Sequence, residues 1–439
     1  MSSLLARGVV VSQPVHQHSY ETAVALDDAD LLHTFVTGLY DTRRGLTSRR
    51  WIRRLPPRYK VMAERELGRR RHPNVDPGRV LAISQYHLLE LALRRGLGVS
   101  SARLNRWAQY RFDAAVARRL RRLSGVQAVH AFEGGALETF RTARSLGLMT
   151  VLDVPAAHEE YRAVLEAEDA DYSDMDTQRI HAERELADWF ITPSDFVDEC
   201  LIAAGVPKGR LVQIPYGVDL NRFGARDQAD NTFRVLFVGS IGARKGVSYL
   251  LDAWADLALP NAELVLVGAP DAYGREAMRK HAGLFRHVPN VPKAEVAAWY
   301  RSADAFVFPT LADGYGLVLL EAMAAALPVV TTPNCGAAVR DGVDGFVVPP
   351  RDSQALSERI RFLYDHQEKA RRMGASGRDR IRDGFTWSHY AHHLTTFYRD
   401  QLAQTGIRQQ SPDIAPQASS QGMPVERRYP ASTECDVDE

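Results

Sequence analysis

The 439-residue chain is 45% apolar and carries a formal net charge of +1, which excludes a disordered polymer and gives no bulk electrostatic reason to bind nucleic acid. Three widely spaced cysteines, Cys200, Cys335 and Cys435, form neither a disulfide framework nor a metal motif. No apolar stretch approaches the ~20 residues that span a bilayer, and Met1 to Ser12 lacks a signal-peptide pattern, so a cytoplasmic protein of two or three domains is expected.

Short apolar runs alternate with helical patterns, the signature of parallel α/β sheets. Val9 to Ser12 reads as a strand, followed by Pro14, His16 and His18, a helix over Glu21 to Ala29 and a strand over Leu31 to Thr37. Arginines then crowd residues 43–71, with Glu64 and Glu66 the only acids and Trp51, Ile52 and Tyr59 interleaved. This run reads equally as a solvated face or as a peripheral contact with anionic lipid at the inner membrane face. A basic helix over Phe112 to Leu123 leads to strand Val126 to Phe132, helix Gly135 to Leu146 and strand Met149 to Val154. A helix ending at Asp188, strand Trp189 to Thr192, helix Asp195 to Ala204 and strand Leu211 to Pro215 complete a first domain, assigned to residues 1–217.

A second α/β series, assigned to residues 218–387, opens with strand Arg234 to Val238 and helix Gly246 to Asp256, then strand Glu263 to Val267. Helix Glu295 to Ser302, strand Ala305 to Phe308, helix Gly316 to Ala326, strands Pro328 to Thr331 and Gly345 to Val348, and helix Ser353 to Asp365 follow. Beyond Thr405 the chain turns Gln-, Ser- and Pro-rich, which reads as a disordered tail over 405–439. Two doubly wound domains in tandem place a ligand cleft between the carboxyl ends of their sheets.

Three constellations carry chemistry. In Val238-Gly239-Ser240-Ile241-Gly242-Ala243-Arg244-Lys245-Gly246 a strand ends, glycines turn, two cations appear and a helix begins. Such a turn lets backbone, helix N-terminus and cations approach a diphosphate, although glycine turns after strands are common. Asp313-Gly314-Tyr315-Gly316 leads into a helix carrying Leu317 and Glu321, whose free N–H groups make an anion site. Glu321, among Leu319, Leu320, Ala322 and Met323, needs a partner, either a buried cation or ligand hydroxyls. The third set is His16, His18, His130 and His158, all near strand ends; singly each reads as a structural histidine, and His158 is the strongest of them. The chain has no G-x-x-x-x-G-K-[ST] loop, no H-E-x-x-H, and no G-x-G-x-x-G after its first strand, against ATPase, zinc-protease and dinucleotide readings.

Together these residues resemble the family 4 retaining glycosyltransferases of the GT-B fold, two Rossmann-like domains facing a central cleft. The resemblance rests on ITPSDFVDECLIAAGVPKGRLVQIPYGVDLNRF, FVGSIGARKGVSYLLDAW, YRSADAFVFPTLADGYGLVLLEAMAAALPVV, DGVDGFVVPPRD and FTWSHYAHHLTTFY, in that order between Ile191 and Tyr398. It implies that Lys245, with Arg244 beside it, binds a donor diphosphate. Asp313 and Glu321 match the paired acids, the first by the donor sugar and the second on the ribose hydroxyls. Gly239 and Ser240 match the strand-end turn, while Gly314, Tyr315, Gly316 and Leu317 match the loop that holds phosphate and sugar. His158 matches the first-domain histidine near the transferred sugar, and His130 the histidine of the preceding strand end. His16 and His18 lie in the acceptor-side first loop, and residues 388–404 match a helix that crosses back onto the first domain. Three positions depart from the family pattern: Asp313 replaces the usual glutamate, Ser240 stands where many members have arginine, and the first loop lacks its glycines.

The resemblance therefore implies a retaining, metal-independent sugar transfer from a nucleotide diphosphate sugar, UDP- or GDP-linked, with no tightly bound cofactor and no bound metal. The acceptor would be a glycan or lipid-linked hydroxyl, as in polysaccharide or glycolipid synthesis. The alternatives are a GT-B nucleotide-sugar epimerase and a non-catalytic nucleotide-sugar binding scaffold.

Overall fold

The computed structural model describes residues 8–14, 18–38, 40, 57, 60, 72–97, 101–156, 166, 177–224, 231–289, 291–336 and 338–410. His16, His158 and nearly all of 43–71 lie outside these residues, as does the chain beyond Gln410.

The first sheet contains β1 (Val9–Gln13), β2 (Leu32–Thr37), β3 (Val80–Ala82), β4 (Ala128–Phe132), β5 (Met149–Asp153), β6 (Trp189–Thr192) and β7 (Leu211–Gln213) in the order β3-β2-β1-β4-β5-β6-β7. Every recorded pairing is parallel. Along β1 the side chains alternate between two apolar layers, Val9 and Val11 facing one and Val10 the other. That is what a strand covered on both faces must do, and it is why β1 reads as one apolar run.

Its helices are α1 (Ser19–Asp28), α2 (Gln85–Leu97), α3 (Ser101–Leu120), α4 (Leu137–Ser145), α5 (Thr177–Leu186) and α6 (Asp195–Ala203). The basic helix begins at Ser101 rather than Phe112, and its buried stripe of Phe112, Ala115, Val116 and Leu120 packs on the sheet with Phe140 of α4.

The second sheet, β8 (Phe233–Val238), β9 (Ala262–Val267), β10 (Arg286–Val288), β11 (Ala305–Phe308), β12 (Val329–Thr331) and β13 (Gly345–Val347), is ordered β10-β9-β8-β11-β12-β13 and is again parallel. Around it lie α7 (Val247–Leu257), α8 (Ala272–Lys280), α9 (Lys293–Arg301), α10 (Leu317–Ala324), α11 (Ser353–Asp365) and α12 (Gln367–Gly384). Both strand orders reverse direction next to the first strand, at β1/β4 and at β8/β11, and such switch points open a crevice at the strand carboxyl ends. This two-domain architecture is the GT-B fold.

The last helix, α13 (Trp387–Gln410), returns to the first domain. Tyr390, Leu394, Phe397, Tyr398 and Leu402 recur at helical spacing and are buried; burying each such side chain is worth about 1.5–3 kcal/mol. Tyr390 Oη lies 2.8 Å from Thr22 Oγ1 of α1. Where the chain crosses between domains, Gly217 lies so close to Thr386 that an added Cβ would sit 2.2 Å from its carbonyl carbon. The helix runs on to Gln410, past the Thr405 at which composition shifts, because Arg408, Gln409 and Gln410 still favour helix.

Candidate active site at the two switch points

The apolar run of β8 stops at Gly239, whose φ of +149° suits glycine. Gly239 is half-buried and Ser240 is exposed at the turn. A short 3-10 turn, Ala243–Lys245, then delivers the chain to Gly246, which adopts a left-handed φ of +64° as α7 begins. A Cβ at Gly246 would lie 2.0 Å from the Pro309 carbonyl oxygen. Only glycine therefore lets the turn after β8 pack against the segment after β11. The Arg244 carbonyl joins the two, accepting from Leu311 N at 2.9 Å and Thr310 Oγ1 at 3.0 Å.

This contact brings Lys245 and Asp313 together across 68 residues. Lys245 Nζ forms an ion pair with Asp313 Oδ2, and Arg244 Nη1 lies 3.5 Å from Asp313 Oδ1 while donating to Ala312 O at 3.0 Å. The ammonium also sits 4.7 Å from the centre of the Phe308 ring. Burial pushes the Lys245 ammonium down to about 8, even though Asp313 beside it acts in the opposite direction.

The loop 313–316 is anchored at both ends. Asp313 N donates to Asn334 O at 2.8 Å, Gly316 N to Cys335 O at 3.1 Å, and Leu317 N to Tyr315 O at 2.9 Å. The helix start is thus less open to an anion than the sequence suggests: the N–H groups of Gly316 and Leu317 already have carbonyl partners. Glu321, one turn into α10, accepts from the buried Tyr300 hydroxyl at 2.9 Å. A tyrosine is thus among its partners, and burial together with Glu321 raises the Tyr300 hydroxyl well above its ordinary value.

Across the cleft the loop meets the first domain directly. Ser194 Oγ, the N-cap of α6, donates to Gly314 O at 2.7 Å. A Cβ at Gly314 would lie 2.1 Å from the Pro155 carbonyl oxygen at the end of β5. Tyr315 Oη donates to Tyr216 O at 3.4 Å, with their ring centres 5.2 Å apart. Ser194, Tyr216 and Tyr300 were not singled out as site residues in the sequence; Ser194 and Tyr216 lie in the segment ITPSDF to IPYGVD on which the resemblance partly rests, but nothing local marks their contacts.

His18 and His130 meet at one carboxylate. Their Nε2 atoms lie 2.9 and 3.2 Å from Asp153 Oδ2, and His130 Nδ1 is 2.9 Å from Tyr398 Oη on α13. With both Nε2 atoms donating to the carboxylate, His130 Nδ1 accepts from the tyrosine. Burial alone would raise the Asp153 carboxyl, but the His18 charge and the bonds from His130 and His18 outweigh it and hold the group at about 2. His130 is fully buried, so it stands behind the cleft wall rather than on it, which departs from an acceptor-facing position. The His18 ring lies 4.0 Å from the Tyr216 ring at a tilt of 34° and so joins this network to the loop through Tyr315. Among the described residues no group of histidine, cysteine and acidic side chains could hold a metal ion, and no helix is long and apolar enough to cross a membrane.

The sequence pattern described as glycosyl transferases group 1 matches residues 222–380, which include Lys245, Asp313 and Glu321. The D-inositol 3-phosphate glycosyltransferase 1 of Catenulispora acidiphila is 30% identical over 287 residues, covering 59% of this chain and 68% of that protein. The chain belongs to the glycosyl transferases group 1 family. The D-inositol 3-phosphate glycosyltransferase of Geodermatophilus obscurus is 34% identical over 220 residues, 44% of this chain and 48% of that protein. This member of the family thus aligns with about half the length of that relative. Anabaena HepE, solved in complex with UDP-glucose, superposes with a TM-score of 0.62 at 15% identity over 90% of this chain and 99% of that one, a likeness of fold.

Proposed function

We propose that this chain is a retaining glycosyltransferase that moves a sugar from a nucleoside diphosphate to an acceptor hydroxyl in glycolipid or polysaccharide synthesis. The observation that carries this reading is the meeting of Lys245, Arg244 and Asp313 at the β8/β11 switch point, against Pro155 and Ser194 of the facing domain. Two cations beside a glycine turn and a helix start are what a diphosphate requires. Glu321, which accepts from Tyr300, is the acid this reading assigns to the ribose hydroxyls. The relatives' names support sugar transfer, and the UDP-glucose complex of HepE supports a nucleotide-sugar donor, with uracil or guanine as its base.

In the proposed reaction the bond from the anomeric carbon to the diphosphate oxygen breaks and a bond to the acceptor oxygen forms on the same face. The acceptor proton passes to a donor phosphate oxygen. Charge gathers on the departing diphosphate as the sugar becomes oxocarbenium-like. Lys245 and Arg244 neutralise it in place of a metal ion, with Asp313 yielding its hold on Lys245 as the diphosphate arrives. His158, by its match to the family pattern, is the residue this reading assigns to the transferred sugar. The protein acts without a tightly bound cofactor, on the cytoplasmic side of the membrane, on a glycan or lipid-linked acceptor.

A thermal-shift series with UDP, GDP, ADP and their sugar conjugates tests the site, since a ligand of the folded state raises the melting midpoint. One diphosphate should raise it, and Lys245→Ala and Glu321→Ala should each abolish the shift. No shift with any nucleotide would overturn the reading, and binding without turnover on any acceptor would favour the scaffold.

A further inference from the structure

Helix α3 carries a cationic face whose groove also takes in Glu138, an acid already paired with Arg141 at 2.8 Å. Arg111, Arg118, Arg119, Arg121 and Arg122, on α3 and the turn after it, are all exposed. Among the described residues the side chains of Arg111, Arg119, Arg121 and Arg122 make no ion pair or hydrogen bond, and that of Arg118 bonds Ala114 O and Tyr86 Oη. Several exposed arginines on other helices are paired locally: Arg141 with Glu138 at 2.8 Å, Arg279 with Glu276 at 2.7 Å and Arg382 with Asp379 at 2.8 Å. The one acid on α3, Asp113, faces inward, where Arg179 and the N–H groups of Glu138 and Thr139 hold it.

The adjoining helix adds apolar surface. α2 packs on α3, with the Tyr86 and Trp107 rings 6.0 Å apart, and exposes Leu88 and Leu89 at 51% and 46%. Phe112, Val116 and Leu120 beneath the arginines fix the helix on the sheet, so the ordering cost of binding at this face falls on the side chains and not on the backbone. Because β4 begins just after α3, residues 118–122 lie at the amino-terminal end of the sheet, away from the cleft.

We infer that this α2–α3 face is a docking surface for an anionic lipid bilayer, which it meets with the cleft left open. Arginines without acid partners beside exposed leucines fit an interface that is charged at its surface and apolar just beneath. A soluble polyanion would engage the arginines but leave the leucines in water. The inference stands whether or not the donor reading holds, because its test involves no sugar transfer.

The full chain is sedimented with phosphatidylcholine vesicles and with vesicles that also contain phosphatidylglycerol. Binding is expected only to the second. Each basic residue near an anionic leaflet strengthens binding about fivefold. The fourfold variant Arg111→Gln/Arg119→Gln/Arg121→Gln/Arg122→Gln should therefore bind at least about 100-fold more weakly, with an unchanged melting midpoint and unchanged donor binding. Leu88→Ser/Leu89→Ser should keep weak binding at low salt and lose the part that resists high salt. Equal binding of wild type to both vesicles, or wild-type binding by the fourfold variant, would overturn the inference. So would a leucine variant that binds like wild type, or retention on soluble dextran sulfate with no vesicle binding, either of which would assign the face to a polyanion.

Discussion

Nucleotide binding should take up a proton through Lys245. Burial holds its ammonium at about 8 in the free protein, so at pH 8 about half the molecules carry a neutral lysine and at pH 9 about nine-tenths do. A diphosphate in contact with Nζ favours the charged form and raises the group again. The sign follows: the free site is the more deprotonated state, so binding takes protons up and affinity falls as pH rises. Uptake should be about a tenth of a proton per site at pH 7, about half at pH 8 and about nine-tenths at pH 9. The dissociation constant should rise about twofold at pH 8 and about tenfold at pH 9 over its value in mild acid. Calorimetric titration with UDP-glucose, then GDP-mannose, in two buffers of different ionisation heat reads the uptake directly. Lys245→Met serves as the control and should bind weakly without uptake. If wild type takes up no proton at pH 9, or the methionine variant takes up as much, then Lys245 is not the group that meets the diphosphate.

Two further perturbations probe the frame. Gly314→Ala places a Cβ against the Pro155 carbonyl oxygen and Ala156 Cα, both backbone, so the domains must part slightly; turnover should drop well below wild type while donor affinity changes less, and an unchanged rate would mean that the contact is not part of the working enzyme. Glu183 accepts from Gly134 N, Ala136 N and Leu137 N at 2.6, 2.9 and 3.1 Å through both of its oxygens. Glu183→Gln must turn an amide N–H toward one of these donors in either flip and should cost about 1–3 kcal/mol, read as a lower denaturant midpoint; an unchanged midpoint would refute the view that both oxygens carry these bonds.

Much of the fold was legible because buried parallel strands read as apolar runs: β6, β11 and the start of α11 fall where the sequence puts them. The elements that escaped notice have physical reasons. β3 and β10 are three-residue edge strands without a fully buried face, and α8 carries Gly274 within a polar sequence whose buried positions are few. At the site, the glycine turn and the loop 313–316 were readable as motifs, since their chemistry is local. Their pairing was not, because Lys245 and Asp313 meet only through the closeness of two strand ends. The histidines show the same limit: nothing local to His18 or His130 reveals that they share Asp153, 135 and 23 residues away.

The Lys245–Asp313 pair also bears on why such a site is kept. Lys245 and Asp313 are 9% and 17% exposed at their side chains, so both give up hydration to meet. A pair of this kind contributes little to stability, and apolar replacements of similar volume are often neutral or stabilising by about 1–4 kcal/mol. Lys245→Met/Asp313→Leu should therefore melt at or above the wild-type temperature while losing donor binding. Lys245→Met alone should melt lower, because Asp313 then loses its nearer cation while Arg244 stays 3.5 Å away. If the double variant instead unfolds more easily than the single one, the pair is holding the two strand ends together. Its arrangement would then reflect folding, and the diphosphate reading would lose its main support.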